Sequence, residues 1–180
     1  MTEAHPPASE TVGMDEKITR AMAYLQNSIV WGDVITKKAI RVSTWLRTPM
    51  APQYVCFRDA QVMTLAGSSP ARPQFFHHIH VPVSQINGFH MMPPDHDPLD
   101  YDENEPNRKM EPVTALIGQF RFNGRIRMST QTDLQRYLDV SKETFATLYD
   151  IDINQPAQPT MGVIRVPMAL VRREMVIFAG

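Results

Sequence analysis

Phe120-Arg121-Phe122-Asn123-Gly124-Arg125-Ile126-Arg127-Met128-Ser129 alternates apolar and polar residues on both sides of a glycine. Side chains of a strand point alternately to opposite faces, so Phe120, Phe122, Ile126 and Met128 share one face. Arg121, Asn123, Arg125 and Arg127 share the other. This period of two marks a half-buried strand whose apolar face must pack on something. Ile164, Val166, Met168 and Leu170 form a second such face. Together they predict an all-β or β-dominated fold.

Working outward, parts of this strand recur earlier in the chain. Ala39-Ile40-Arg41-Val42-Ser43-Thr44 resembles Arg125-Ile126-Arg127-Met128-Ser129-Thr130. Tyr54-Val55-Cys56-Phe57-Arg58-Asp59 resembles Phe145-Ala146-Thr147-Leu148-Tyr149-Asp150, and His80-Val81-Pro82-Val83 resembles Arg165-Val166-Pro167-Met168. The three pairs fall in the same order, as expected of an internal duplication. They predict two similar barrel- or sandwich-like units, 31–92 and 116–180, each of three strands. Pro82 and Pro167 cannot donate to a ladder, so each is expected at an edge or bulge. A Pro-rich connector at 48–52 contrasts with a short helix expected over Asp133–Leu138, capped by Thr130 or Thr132.

The remaining segments read differently. Residues 1–13, rich in Pro, Ser, Thr and Glu, are expected to be disordered. Over 14–30, Ile18, Met22, Leu25 and Ile29 recur at three- and four-residue spacing, which predicts an amphipathic N-terminal helix. Residues 93–115, dense in Pro, Asp, Glu and Asn, have the composition of a solvated linker.

Composition limits the function classes. The 180 residues carry a formal charge of -1, without the basic excess of a dedicated nucleic-acid binder. Cys56 is the single cysteine, so no intrachain disulfide can form. The first ten residues lack a secretory pattern, and no run approaches the ~20 apolar residues of a membrane span. A cytoplasmic location without membrane insertion is the expectation.

The I-R-x-S-T strands at 40–44 and 126–130, the aspartate-ended strands at Asp59 and Asp150, and the V-P pairs at 81–82 and 166–167 together resemble small bacterial β-barrel domains of the Sm-like or PilZ-like kind. The resemblance implies a tandem of small barrels. Asn107-Arg108-Lys109 and Asn123-Gly124-Arg125 do not supply the PilZ ligand motif, so it implies no ligand residues.

Two clusters offer chemistry. His78 and His80 would share a face of a strand, with His77 beside them and His90 or Asp95 as a further metal ligand. Arg121, Arg125, Arg127 and Arg165 form a cationic stripe fit for an anionic ligand or nucleic acid. Asp150 and Asp152 would compete for the same arginines across the strands. No phosphate loop, nucleophile elbow or cofactor motif occurs, and Cys56 sits between Val55 and Phe57 as an inert thiol would. The expectation is a non-catalytic interaction or scaffold protein, with no cofactor, that self-associates or binds a protein partner. Anion or nucleic-acid binding through the arginines is the alternative.

Overall fold

The computed structural model describes residues 12–65 and 72–180. Its strands are β1 Glu16–Tyr24, β2 Ser28–Lys37, β3 Tyr54–Thr64, β4 Gln74–Pro82 and β5 Gly88–Met91, then β6 Arg108–Ile117, β7 Phe120–Ser129, β8 Phe145–Asn154, β9 Ile164–Arg172 and β10 Ile177–Ala179. A short helix, α1, spans Leu134–Val140. All ten strands join one sheet in the order β10-β6-β7-β8-β9-β5-β1-β2-β3-β4. Every neighbouring pair is antiparallel.

The β-dominated expectation holds, but the separate barrels do not. The sheet stays open, with β4 and β10 at its two ends. It runs unbroken from one half of the chain to the other through β5, which pairs with β1 on one side and β9 on the other.

The N-terminal helix is also corrected: residues 14–30 form β1 and the start of β2. Its apolar spacing misled because the end of β1 is covered on both faces. Ala21, Met22, Ala23 and Tyr24 are all buried, whereas Ile18, placed on the expected helix face, is exposed. A strand buried on both sides shows no alternation, and an unbroken apolar run satisfies helical spacing equally well. The disorder expected for 1–13 falls almost entirely outside the described residues.

Successive residues of the central strands feed two different cores. Met22, Tyr24, Ile29, Ala169 and Val171 enter one core with Phe122, Ile126 and Leu148. Ala21, Ala23, Val30 and Leu170 enter the other with Val55, Phe57 and Phe89. Because neighbours on a strand point oppositely, the two cores lie on opposite faces of the strands they share. Leu134 and Tyr137 of α1 pack against the first core, and Trp45 and Leu46 of the 45–47 turn pack against the second.

The β2–β3 ladder slips between Trp31 and Asp33, and the β7–β8 ladder slips between Asn123 and Arg125. Each slip faces an aspartate with positive φ, Asp59 at 43° and Asp150 at 50°. This is a bulge with one extra left-handed residue. The opposing residue is glycine both times. A Cβ on Gly32 would lie 2.7 Å from the Arg58 carbonyl, and one on Gly124 would lie 2.9 Å from the Tyr149 carbonyl.

These landmarks revise the expected alignment. Residues 39–44 lie in the turns after β2, while Arg125–Ser129 lie within β7, so that pair occupies unrelated positions. Pro82 ends β4 opposite Tyr54, while Pro167 sits mid-strand opposite the Asp150 bulge, so the prolines do not correspond either. The Tyr54 and Phe145 stretches do open β3 and β8, the two strands that carry Asp59 and Asp150. In the second connector, the expected helix is α1, capped by Asp133, whose carboxylate accepts the Arg136 N–H at 2.8 Å.

Candidate functional site

The acidic stretch expected to be a solvated linker is a strap, residues 92–107, fastened across both halves. On the first half, the Asp95 carboxylate accepts the Arg20 N–H at 3.2 Å, and that of Asp97 accepts the Ser43 N–H at 3.0 Å. Lys17 Nζ lies 3.6 Å from Asp97. Asp100 stands at the crossing: Oδ2 accepts from Arg47 Nη1 at 3.0 Å and Oδ1 from the Tyr149 hydroxyl at 2.6 Å. On the second half, Arg127 Nη1 donates to Glu105 at 2.7 Å and Nη2 donates to the Asp102 carbonyl at 2.9 Å.

Arg47 thus reaches from the first half onto β8 of the second. It also donates to Thr147 Oγ1 and, at 3.2 Å, to Glu143. Tyr101 stacks edge-on against Tyr149 at 4.9 Å, and the Arg127 guanidinium lies 4.7 Å from the Tyr101 ring centre. Burial, with the Asp100 hydrogen bond adding to it, pushes the Tyr149 hydroxyl far above its usual range, so it remains a donor. Hydrogen bonds from Arg127 and Arg108 hold the Glu105 carboxyl below the usual carboxylate range. Between strap, turn and β8 lies a cleft of about 450 Å³ whose walls include Arg47, Arg127, Lys142, Glu143 and Tyr149. Its arginines are each met by a carboxylate, and it holds neither histidine nor cysteine. Chemically this arrangement fastens the strap to both halves.

The arginine stripe separates. Arg127 is taken up by the strap, and Arg165 pairs with Asp152 at 3.2 Å across β8 and β9, the competition anticipated from the sequence. Arg121 and Arg125 are exposed on β7.

The histidines are not brought together. His78 and His80 lie exposed on the end strand β4, whereas His90 is buried on central β5. Nδ1 of His90 lies 2.8 Å from the Met91 carbonyl and Nε2 lies 3.1 Å from the Tyr24 hydroxyl. A carbonyl only accepts, so Nδ1 carries the proton and Nε2 accepts from Tyr24. Burial lowers the His90 pKa to about 4, keeping it neutral at ordinary pH. The metal expectation for His78, His80 and His90 is therefore corrected. Among the described residues no group of three or more His, Cys, Asp or Glu side chains is placed to hold an ion.

Sequence reasoning missed Arg47, Asp100, Tyr149 and Tyr24. For the strap a signal existed in charge complementarity: Asp97 against Lys17 of β1 and Asp100 against Arg47 of the 45–47 turn. Tyr24 lies inside the segment misread as a helix. There it packs edge-on against Phe120 at 4.9 Å and Phe122 at 4.8 Å, joining the first half to the second.

Comparison with known proteins gives no match to a family model, a curated protein or a solved structure. Among the described residues no helix is long and apolar enough to cross a membrane.

Proposed function

We propose that this chain is a non-catalytic interaction protein of the cytoplasm, a duplicated sheet platform that engages another polypeptide along the free edge of β4. One observation carries this reading. β4 is a nine-residue strand at the end of the sheet with Phe75 57% and Phe76 41% exposed and no Lys, Arg, Asp or Glu along it. An edge of this length presents a row of backbone donors and acceptors. Natural edges normally blunt that row with charge, and β4 leaves it open to strand addition.

Three correspondences support duplication. The five-strand orders β5-β1-β2-β3-β4 and β10-β6-β7-β8-β9 are alike. Bulges recur at Gly32 with Asp59 and at Gly124 with Asp150. A 3-10 turn follows both β4 (Val83–Gln85) and β9 (Arg173–Met175).

Differential capture tests the function. Tagged native chain should retain partner polypeptides that the Phe75→Lys/Phe76→Lys variant loses while keeping its circular dichroism and melting temperature. Identical captured sets from the two would refute the edge as the working surface. An anion-binding reading survives only on Arg121 and Arg125. Titration of single-stranded RNA at low salt tests it, because genuine phosphate contacts weaken steeply as salt rises.

A further inference from the structure

We propose that β10 of one copy of this chain pairs with β4 of a second copy, repeating between molecules the seam that β5 and β9 make within one. The inference rests on the edge-strand reading above and on the internal repeat; what it adds is the occupant and the register.

The internal seam provides the template. β5 of the first half pairs with β9 of the second through Gly88↔Val171 and Phe89↔Leu170. Ladder registers identify the corresponding residues at the two free ends. Asp59 faces His77 as Asp150 faces Pro167, since β3–β4 and β8–β9 keep constant registers around those bulges. Val81 and His80 therefore correspond to Val171 and Leu170. β5 pairs with β1 through Gly88↔Tyr24, and β10 pairs with β6 through Ile177↔Leu116. Following these hairpins places Ile177 at the position of Gly88 and Phe178 at that of Phe89. Every strand in the sheet is antiparallel to its neighbours, so the direction of β10 is the one β4 needs. The intermolecular register is then Ile177↔Val81, Phe178↔His80 and Ala179↔Ile79.

Burial supports this assignment. Phe145 and Leu170 are buried because the seam covers them, at 1% and 0% exposure. Their counterparts at the β4 end are Tyr54, 54% exposed, and His80, also exposed. The other end leaves Met175 and Ile177 exposed, at 55% and 68%. Apolar surface is thus left over at both ends of the sheet, on the elements that meet at the internal seam.

The contact between copies is weaker than its template. Arg172 donates its N–H to the Asn87 carbonyl at 2.8 Å and its guanidinium to the carbonyls of Ile86 and Val83. Pro82 stands at its corresponding position and can donate neither. Thr114 and Arg121 occupy the positions of Met22 and Ile29, making the β10 side more polar. The association is therefore reversible and concentration-dependent. One β10–β4 contact leaves a β4 and a β10 still open, so the assembly closes as a ring or grows head to tail.

Light scattering on the purified full chain should give 20.5 kDa at high dilution and multiples of it as concentration rises. Val83 donates its N–H to Gln53 beside β3, so the N–H of His80, an odd number of residues away, faces outward within the register, and the His80→Pro variant that removes it should remain a monomer. Mixing two proteins, one Ile79→Cys and the other Ala179→Cys, both with Cys56→Ser, should yield a disulfide-linked dimer on oxidation. Gln74→Cys in place of Ile79→Cys, outside the register, should yield less than a tenth as much. A monomer at every concentration, or equal cross-linking from Gln74→Cys, overturns the proposal, and if a variant fails to fold the native chain's mass decides. A monomeric chain that still captures another protein through its edge overturns this inference alone. An oligomer indifferent to both edge substitutions and register overturns the edge reading with it.

Discussion

Acidification should unfold this protein earlier than its surface carboxylates alone would require, because His90 must take up a proton where none is accommodated. Its folded pKa lies near 4 against an ordinary 6.5, lowered by burial. The unfolded chain therefore binds more protons between those values, and stability falls as pH drops through that window. The stabilisation is complete above pH 6.5 and is lost progressively below it. At about 1.4 kcal/mol per pH unit, the loss from pH 7.5 to pH 5 is roughly 2 kcal/mol. For a chain of this size that is about 4–8 °C in melting temperature. Urea denaturation at pH 7.5, 6 and 5 should show the decline in the native chain. His90→Gln keeps an acceptor for Tyr24 and cannot titrate, so it should lose about 2 kcal/mol less across the same range. Parallel declines, or an imidazole NMR titration of His90 centred near pH 6.5, would show that the buried neutral tautomer is wrong.

Other substitutions probe the joints of the fold. Asp100→Ala removes the shared acceptor of Arg47 and Tyr149, and should cost about 2–3 kcal/mol in urea denaturation. Tyr24→Phe keeps the ring contacts and orphans His90 Nε2, so a loss of about 1–2 kcal/mol is expected; an unchanged midpoint would deny that hydrogen bond. Gly124→Ala puts a Cβ within 2.9 Å of the Tyr149 carbonyl, and should destabilise by more than an alanine at exposed Gly13, where a Cβ meets only the movable ends of the Glu16 and Asp15 side chains, at 3.3 and 3.4 Å. Asp150→Gly should be tolerated at its φ of 50°, whereas Asp150→Val should cost about 1–3 kcal/mol by thermal melt.

What could be read from the sequence follows which faces are wet. β7 has one polar and one apolar face, so Phe120 to Met128 declared it a strand. β1 loses its polar face where Ala21 to Tyr24 enter two cores at once, and the alternation vanishes there. The likeness between the halves on which the proposed duplication rests shows in Tyr54–Asp59 against Phe145–Asp150, whose aspartates both have positive φ at a bulge. Its better markers were the glycines of Trp31-Gly32-Asp33 and Asn123-Gly124-Arg125, which are required by a neighbouring carbonyl rather than by a turn. Matching Ile40 to Ile126 and Pro82 to Pro167 relied on residue type and overlooked ladder position. The stripe at Arg121, Arg125, Arg127 and Arg165 was legible as a face of strands. Its partition was not, because Glu105 and Asp102 arrive from the strap, and a Pro- and Asp-rich segment carries no signal of where it docks.

The strap is the only covalent tie between β5 and β6, yet its removal would not leave two independent bodies. Tyr24 would still sit against Phe120 and Phe122, and Phe89 would still lie beside Leu170. A chain nicked between Asp100 and Asp102 would carry its two pieces as mutual templates, each finishing the other's interior. Such a molecule is a natural candidate for fragment complementation, in which separately produced halves find one another and recover a single fold.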